Sequence, residues 1–176
     1  DDPNYSHFTI VQISTGKKVY NVEMTSNHII AVYDRYIEVS GRKTYNNINS
    51  IQTHLNTEKG ICLINNYSYD NDKDLLICTL GTRTGEVSFF SPISNISRTI
   101  TCHENSIRCI ALDINCKYLA TASICGTIIR VFDVAQGKKI YEFRRGNSYA
   151  IIHDLAISDN LEWLAVTSNR GTLHIF

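Results

Sequence analysis

Proline is almost missing from this chain of 176 residues, which has only Pro3 and Pro92, and net charge is missing altogether. Lysine and arginine number 17, as do aspartate and glutamate, so no global field draws the protein to nucleic acid or to an anionic membrane. Any anion binding has to come from a local cluster. Long apolar runs are also lacking. The longest span about six residues, roughly a third of what a bilayer crossing needs. The opening stretch Asp1 to Ser6 is acidic and polar, unlike a secretory signal. Cys102, Cys109, Cys116 and Cys125 are separated by six, six and eight residues, without the close pairing of a zinc site. There is no glycine-rich phosphate loop and no nucleophile elbow. His153 and Asp154 are neighbours in an extended run, so their side chains face apart. These absences lead us to expect a protein that is not an enzyme, with no catalytic residues, no metal and no cofactor.

What is present points to a packed β protein. A hydrophobic fraction of 43% with 19% charged residues supports a core. The six cysteines (62, 78, 102, 109, 116 and 125) fall mostly inside apolar runs such as LLICTL and IRCIAL, where a small hydrophobe belongs. They read as reduced core thiols of a cytoplasmic protein. Short β-rich runs recur, among them HFTIVQI, HIIAVY, GICLI, LLICTL, GEVSFF, SIRCIAL, YLATAS, TIIRVF, KKIYEF, WLAVTS and TLHIF. The segments between them (STGKK, YDNDKD, RTGE, HENS, INC, AQGKK, SDNLE) are turn chemistry. Such spacing predicts antiparallel meanders and an all-β fold.

Internal repetition narrows the fold. LATASICGTIIRVF (119–132) aligns with LAVTSNRGTLHIF (164–176), pairing Ser123 with Ser168, Gly126 with Gly171 and Thr127 with Thr172, each 45 residues apart. A weaker copy carries Gly85, 41 residues before Gly126, and the weakest spans Val22 to Ser40. A unit of about 40–45 residues with four strands is the period of a propeller blade. About four blades are represented, at roughly 8–55, 56–100, 101–145 and an incomplete 146–176. One more strand is expected to follow HIF, so the chain reads as part of a larger propeller.

Between the two clear repeats lies GKKIYEFRRGNSYA. Adjacent side chains of an extended segment point to opposite faces, so Arg144 and Arg145 can serve two pockets, one on either side of their strand. The first repeat offers Ser123, Thr127 and Arg130, and the second Ser168, Thr172 and His174. Guanidinium forks, hydroxyls and an imidazole are the groups that bind a phosphate monoester.

The stretch from about Thr101 to Phe176 strongly resembles the PROPPIN family, seven-bladed WD-repeat propellers that bind phosphoinositides. HENS (103–106), LATASICGTIIRVFD, GKKIYEFRRG and LAVTSNRGTLHIF carry the resemblance, with FRRG at 143–146 as the family signature. Val11 to Phe90 is compatible with earlier blades without identifying them. The resemblance implies recognition of phosphatidylinositol 3-phosphate and phosphatidylinositol 3,5-bisphosphate, by a cytoplasmic protein peripheral on autophagosomal, endosomal or vacuolar membranes. It implies a first lipid site of His103, Ser123, Thr127, Arg130 and Arg144, where His103 enters by resemblance alone, and a second of Arg145, Ser168, Thr172 and His174. It also implies autophagy partners such as the Atg2-type lipid-transfer protein, and no nucleic acid. The alternative is a WD-repeat scaffold that binds only proteins. Family members have a bilayer-dipping loop after the strand that corresponds to TLHIF. This chain ends at Phe176, so only head-group recognition can be argued from it. A second departure is Cys125, where the family usually has a polar or charged residue.

Overall fold

The computed structural model describes residues 15–65, 75–92, 94 and 96–176. The expected strand HFTIVQI and the turn YDNDKD lie outside the described residues. Fifteen strands follow one another, and no described residue is helical. β1 (Asn21–Met24), β2 (His28–Val32), β3 (Tyr36–Gly41) and β4 (Asn47–Gln52) make the first sheet. β5 (Cys62–Ile64), β6 (Ile77–Leu80), β7 (Glu86–Ser91) and β8 (Ile96–Thr101) make the second. The third holds β9 (Ile107–Leu112), β10 (Tyr118–Ser123), β11 (Ile128–Asp133) and β12 (Lys138–Arg144). β13 (Ile152–Ile157), β14 (Leu164–Ser168) and β15 (Leu173–Ile175) form a fourth, three-stranded among the described residues. Every sheet is a meander in which each strand pairs antiparallel with the next.

The sheets stack as blades, numbered 1 to 4 here. Alternation along each strand sends one set of apolar side chains to the preceding blade and the other to the following one. Ile30, Val32, Ile37 and Val39 of blade 1 pack with Cys62, Ile77 and Phe90 of blade 2. Cys78, Leu80, Val87 and Phe89 of blade 2 pack with Ile107, Ile110, Leu119 and Phe132 of blade 3. Cys109, Ala120, Ala122, Ile129 and Val131 of blade 3 pack with Ile152, Leu155, Leu164 and Val166 of blade 4. The core is therefore a series of inter-blade seams, as expected of a propeller, whose single repeats cannot bury both faces alone.

Turn chemistry closes the hairpins. The Asp113 carboxylate accepts from the Asn115 N–H at 2.9 Å and also from the Tyr118 N–H, bending the INC turn back on itself. Gly85 and Gly126 have φ of 76° and 64°, the left-handed region open to glycine. A Cβ on either would overlap a backbone carbonyl of the next blade's leading segment, His103 and Ala150 respectively.

All six cysteines are free. Cys62, Cys78, Cys102 and Cys109 are buried as expected, whereas Cys116 and Cys125 are only half-buried because they sit in turns at blade ends. Burial pushes the Cys62 and Cys102 thiols up to about 12 and Cys116 to about 11, which keeps them protonated.

Candidate anion-binding grooves flanking blade 3

The register of blade 3 sorts the expected residues onto its two faces. Arg130 on β11 stands between Thr121 on β10 and Glu142 on β12. The three lie on the face toward blade 2, because Ile129 and Val131 on either side of Arg130 pack toward blade 4. A polar row crosses this face from the core to the rim. It begins at His103, which is 7% exposed, with its Nε2 3.0 Å from the Thr121 Oγ1. Burial, then the nearby Arg130 charge, depresses the His103 pKa from 6.5 to about 4, so the ring is neutral at physiological pH. Arg130 follows, its Nη1 donating to the Cys102 carbonyl at 2.7 Å and its Nε to Glu142 Oε2 at 2.9 Å. At the rim the same Oε2 accepts from Lys139 Nζ at 2.6 Å. Lys139, and after it Arg130, hold the Glu142 carboxyl below its usual range.

Arg144 is two residues beyond Glu142 on β12 and opposite Ile128, so it shares the face of Glu142 and Arg130. It is exposed, and its guanidinium makes no hydrogen bond or ion pair among the described residues. Arg145 goes the other way. Its Nε donates to the Gly126 carbonyl at 2.8 Å, and its Nη2 donates to the Ser148 carbonyl in the segment leading to blade 4. Its backbone N–H continues the ladder to the Thr127 carbonyl at 2.9 Å. The two arginines therefore open onto different grooves, as the alternation along an extended strand requires.

The other expected residues fall beside one groove or the other. Ser123 is buried at the end of β10, next to a register shift after Ala122, and Thr127 is half-buried at the turn into β11. In blade 4, Ser168 is buried and its Oγ accepts from the Arg170 N–H at 3.4 Å. Thr172 Oγ1 lies 3.1 Å from His174 Nε2. His174 pairs with Val166, whose side chain faces blade 3, so His174 faces blade 3 as well. Phe176 on the same face stacks on Phe143 of β12, with ring centroids 4.9 Å apart. The first groove, between blades 2 and 3, thus holds Arg130 and Arg144 with the buried His103 behind them, whereas Thr127 lies two residues before Ile129, whose side chain packs toward blade 4. The second, between blades 3 and 4, holds Arg145, Thr172 and His174, with Ser168 behind.

Sequence reasoning missed Thr121, Glu142 and the Cys102 carbonyl, which set the state of Arg130. Parity with Arg144 would have placed Glu142 on the right face, but its pairing with Arg130 depends on strand register. Arg170 was missed too; its Nε and Nη2 donate to the Tyr149 carbonyl at 3.2 and 2.8 Å beside the second groove.

Antiparallel meanders stacked blade against blade define a β-propeller. The PROPPIN family model matches residues 6–176, and the chain belongs to that family. It is 34% identical over 176 residues to Autophagy-related protein 18e of Arabidopsis thaliana, covering 98% of this chain and 45% of that protein. WD repeat domain phosphoinositide-interacting protein 2 of Gallus gallus is 29% identical, with 95% of this chain and 38% of that protein covered. The crystal structure of Hsv2 from Kluyveromyces marxianus superposes with a TM-score of 0.77 at 26% identity, over 95% of this chain and 52% of that one. The chain thus spans less than half the length of these curated relatives. The family match also reaches back through the N-terminal half, which repeat matching had left unidentified.

Proposed function

We propose that the chain carries the phosphoinositide-reading blades of a propeller recruited to membranes in autophagy or in endosomal and vacuolar traffic. Its ligands are phosphatidylinositol 3-phosphate and phosphatidylinositol 3,5-bisphosphate. His103, Ser123, Thr127, Arg130 and Arg144 form the first site, and Arg145, Ser168, Thr172 and His174 the second. The observation that carries the reading is the alternation that sends consecutive arginines to opposite faces of blade 3, Arg144 exposed and Arg145 held to carbonyls. Arginine and hydroxyl donors match the oxygens of a phosphate monoester, and charge-assisted bonds are the strong ones. His103 and Ser123 contribute from behind, keeping Thr121 and the end of β10 in place. The relatives' names support the reading, one as autophagy-related and one as phosphoinositide-interacting. An Atg2-type lipid-transfer protein is the proposed protein partner. The protein acts by binding, without catalysis.

The test is co-flotation of the full-length protein with phosphatidylcholine vesicles, plain or carrying phosphatidylinositol 3-phosphate. Wild type floats only with the phosphoinositide, and Arg144→Thr/Arg145→Thr loses flotation. Each single substitution weakens binding at its own groove by about 1.5–3 kcal/mol, the scale of a hydrogen bond to a charged group. Arg144→Thr leaves thermal unfolding unchanged, whereas Arg145→Thr also lowers the melting temperature, because it frees two carbonyls. A folded wild type that ignores the phosphoinositide overturns the lipid reading and leaves a protein-only scaffold.

A further inference from the structure

Resting on that reading, the geometry points to Glu142 as a built-in competitor anion, bound to Arg130 and Lys139 so that the groove between blades 2 and 3 selects phosphate monoesters over singly charged head groups. Three cationic side chains, Arg130, Lys139 and Arg144, come from blade 3 around Glu142, but only one of them is uncommitted among the described residues. Glu142 Oε2 sits 2.9 Å from Arg130 Nε and 2.6 Å from Lys139 Nζ. The other end of Arg130 is occupied by the Cys102 carbonyl at 2.7 Å. Arg144, on the same face two residues along, has no partner among the described residues. An arriving anion therefore meets a free guanidinium and, beside it, a guanidinium already neutralised.

Full engagement of the groove requires the ligand to displace or outcompete the carboxylate. A diester phosphate or a carboxylate head group carries one negative charge, the same as Glu142, and gains nothing from that exchange. A phosphate monoester carries about −1.5 to −2 at neutral pH with three acceptor oxygens, so it keeps a surplus of attraction after the exchange. A repulsive group that penalises the wrong ligand more than the right one is a recognised route to specificity. The arrangement also holds the Arg130 fork extended along the groove in advance. The groove between blades 3 and 4 differs: among the described residues no carboxylate is bonded to Arg145, Thr172 or His174, which are held by carbonyls and by each other. The two grooves are thus unequal, the first selective and the second permissive.

The experiment compares wild type, Glu142→Gln and Glu142→Gln/Arg130→Met in the full-length protein. Three probes are used: phosphatidylcholine vesicles carrying phosphatidylinositol 3-phosphate, the same vesicles carrying only phosphatidylserine, and soluble inositol 1,3-bisphosphate. Glu142→Gln is expected to bind the phosphoinositide vesicles and the soluble head group about two- to fivefold tighter, the range of a partly exposed ion pair. Its binding to phosphatidylserine rises by a larger factor, so the ratio between the two lipids falls. The gain disappears in the Arg130→Met background. Glu162→Gln, which removes the same charge from the far turn of blade 4, gives no gain. If Glu142→Gln fails to fold, Glu142→Asp retracts the carboxylate by one methylene and is expected to show part of the gain. An unchanged or weaker Glu142→Gln, or a gain that persists without Arg130, overturns the inference while leaving the phosphoinositide reading intact. Failure of wild type to bind phosphoinositide vesicles overturns both.

Discussion

His103 and Arg144 show how much the position of a single side chain decides. Both were expected at the same phosphate, yet one is free at the rim and the other is sealed behind it. The His103 ring is buried against Thr121, with Arg130 nearby, and both burial and that charge oppose its protonation. Its folded pKa of about 4 lies below the ordinary 6.5, so the unfolded chain takes up the proton first as pH falls. The stability held by the neutral ring is complete above pH 6.5 and is lost between 6.5 and about 4. Denaturant unfolding of wild type should weaken across that window. His103→Gln, which keeps a polar partner for Thr121 but cannot titrate there, should show a flatter profile. An equally steep profile in the variant would assign the acid sensitivity to other groups.

At the scale of the element, the turn between β10 and β11 does more than reverse the chain. Gly126 brings its backbone against Ala150, the Ala150 N–H donates to the Cys125 carbonyl at 3.2 Å, and Arg145 is fixed to the Gly126 carbonyl at 2.8 Å. Gly126→Ala should therefore destabilise the chain by at least about 2 kcal/mol, from left-handed backbone strain together with a carbonyl overlap. Gly171→Ala, at the matching turn with φ 69° but nothing within 4 Å, isolates the backbone cost of about 1 kcal/mol. Equal losses in the two variants, read by denaturant titration, would dismiss the blade contact. The repeat made these turns visible in the sequence, because a glycine recurring 45 residues apart marks one backbone conformation used twice. The opposite aim of Arg144 and Arg145 was visible too, since it follows from strand pleating alone. The carboxylate facing Arg130 was not. That pairing is set by the register of β11 on β12, which shifts just after Val131, and no local pattern encodes such a shift. His103 entered the site by resemblance alone, and its ring bonds within its own blade, to Thr121.

For the whole molecule, the zero net charge and the paired grooves belong together. With 17 charges of each sign this chain offers little bulk attraction to a membrane, so under the proposed function attachment rests on head groups held in the two grooves. Once one groove is filled, the second head group binds at a high effective concentration. Recruitment of the full-length protein should rise more steeply than the first power of phosphatidylinositol 3-phosphate density in vesicles. Arg144→Thr should reduce that rise to first order, and a first-order rise in wild type would argue against two cooperating grooves. The order of strands in each sheet has a consequence of another kind. Within a blade each strand pairs with the one made just before it, and blades 1 to 3 each lean on the blade that follows. Local pairing of this kind lets a chain be assembled in the order it is synthesised. Each finished meander waits on the ribosome with one greasy face uncovered until the next has emerged, so the pace of translation, more than any search through distant partners, sets how long that face stays open to the wrong neighbour.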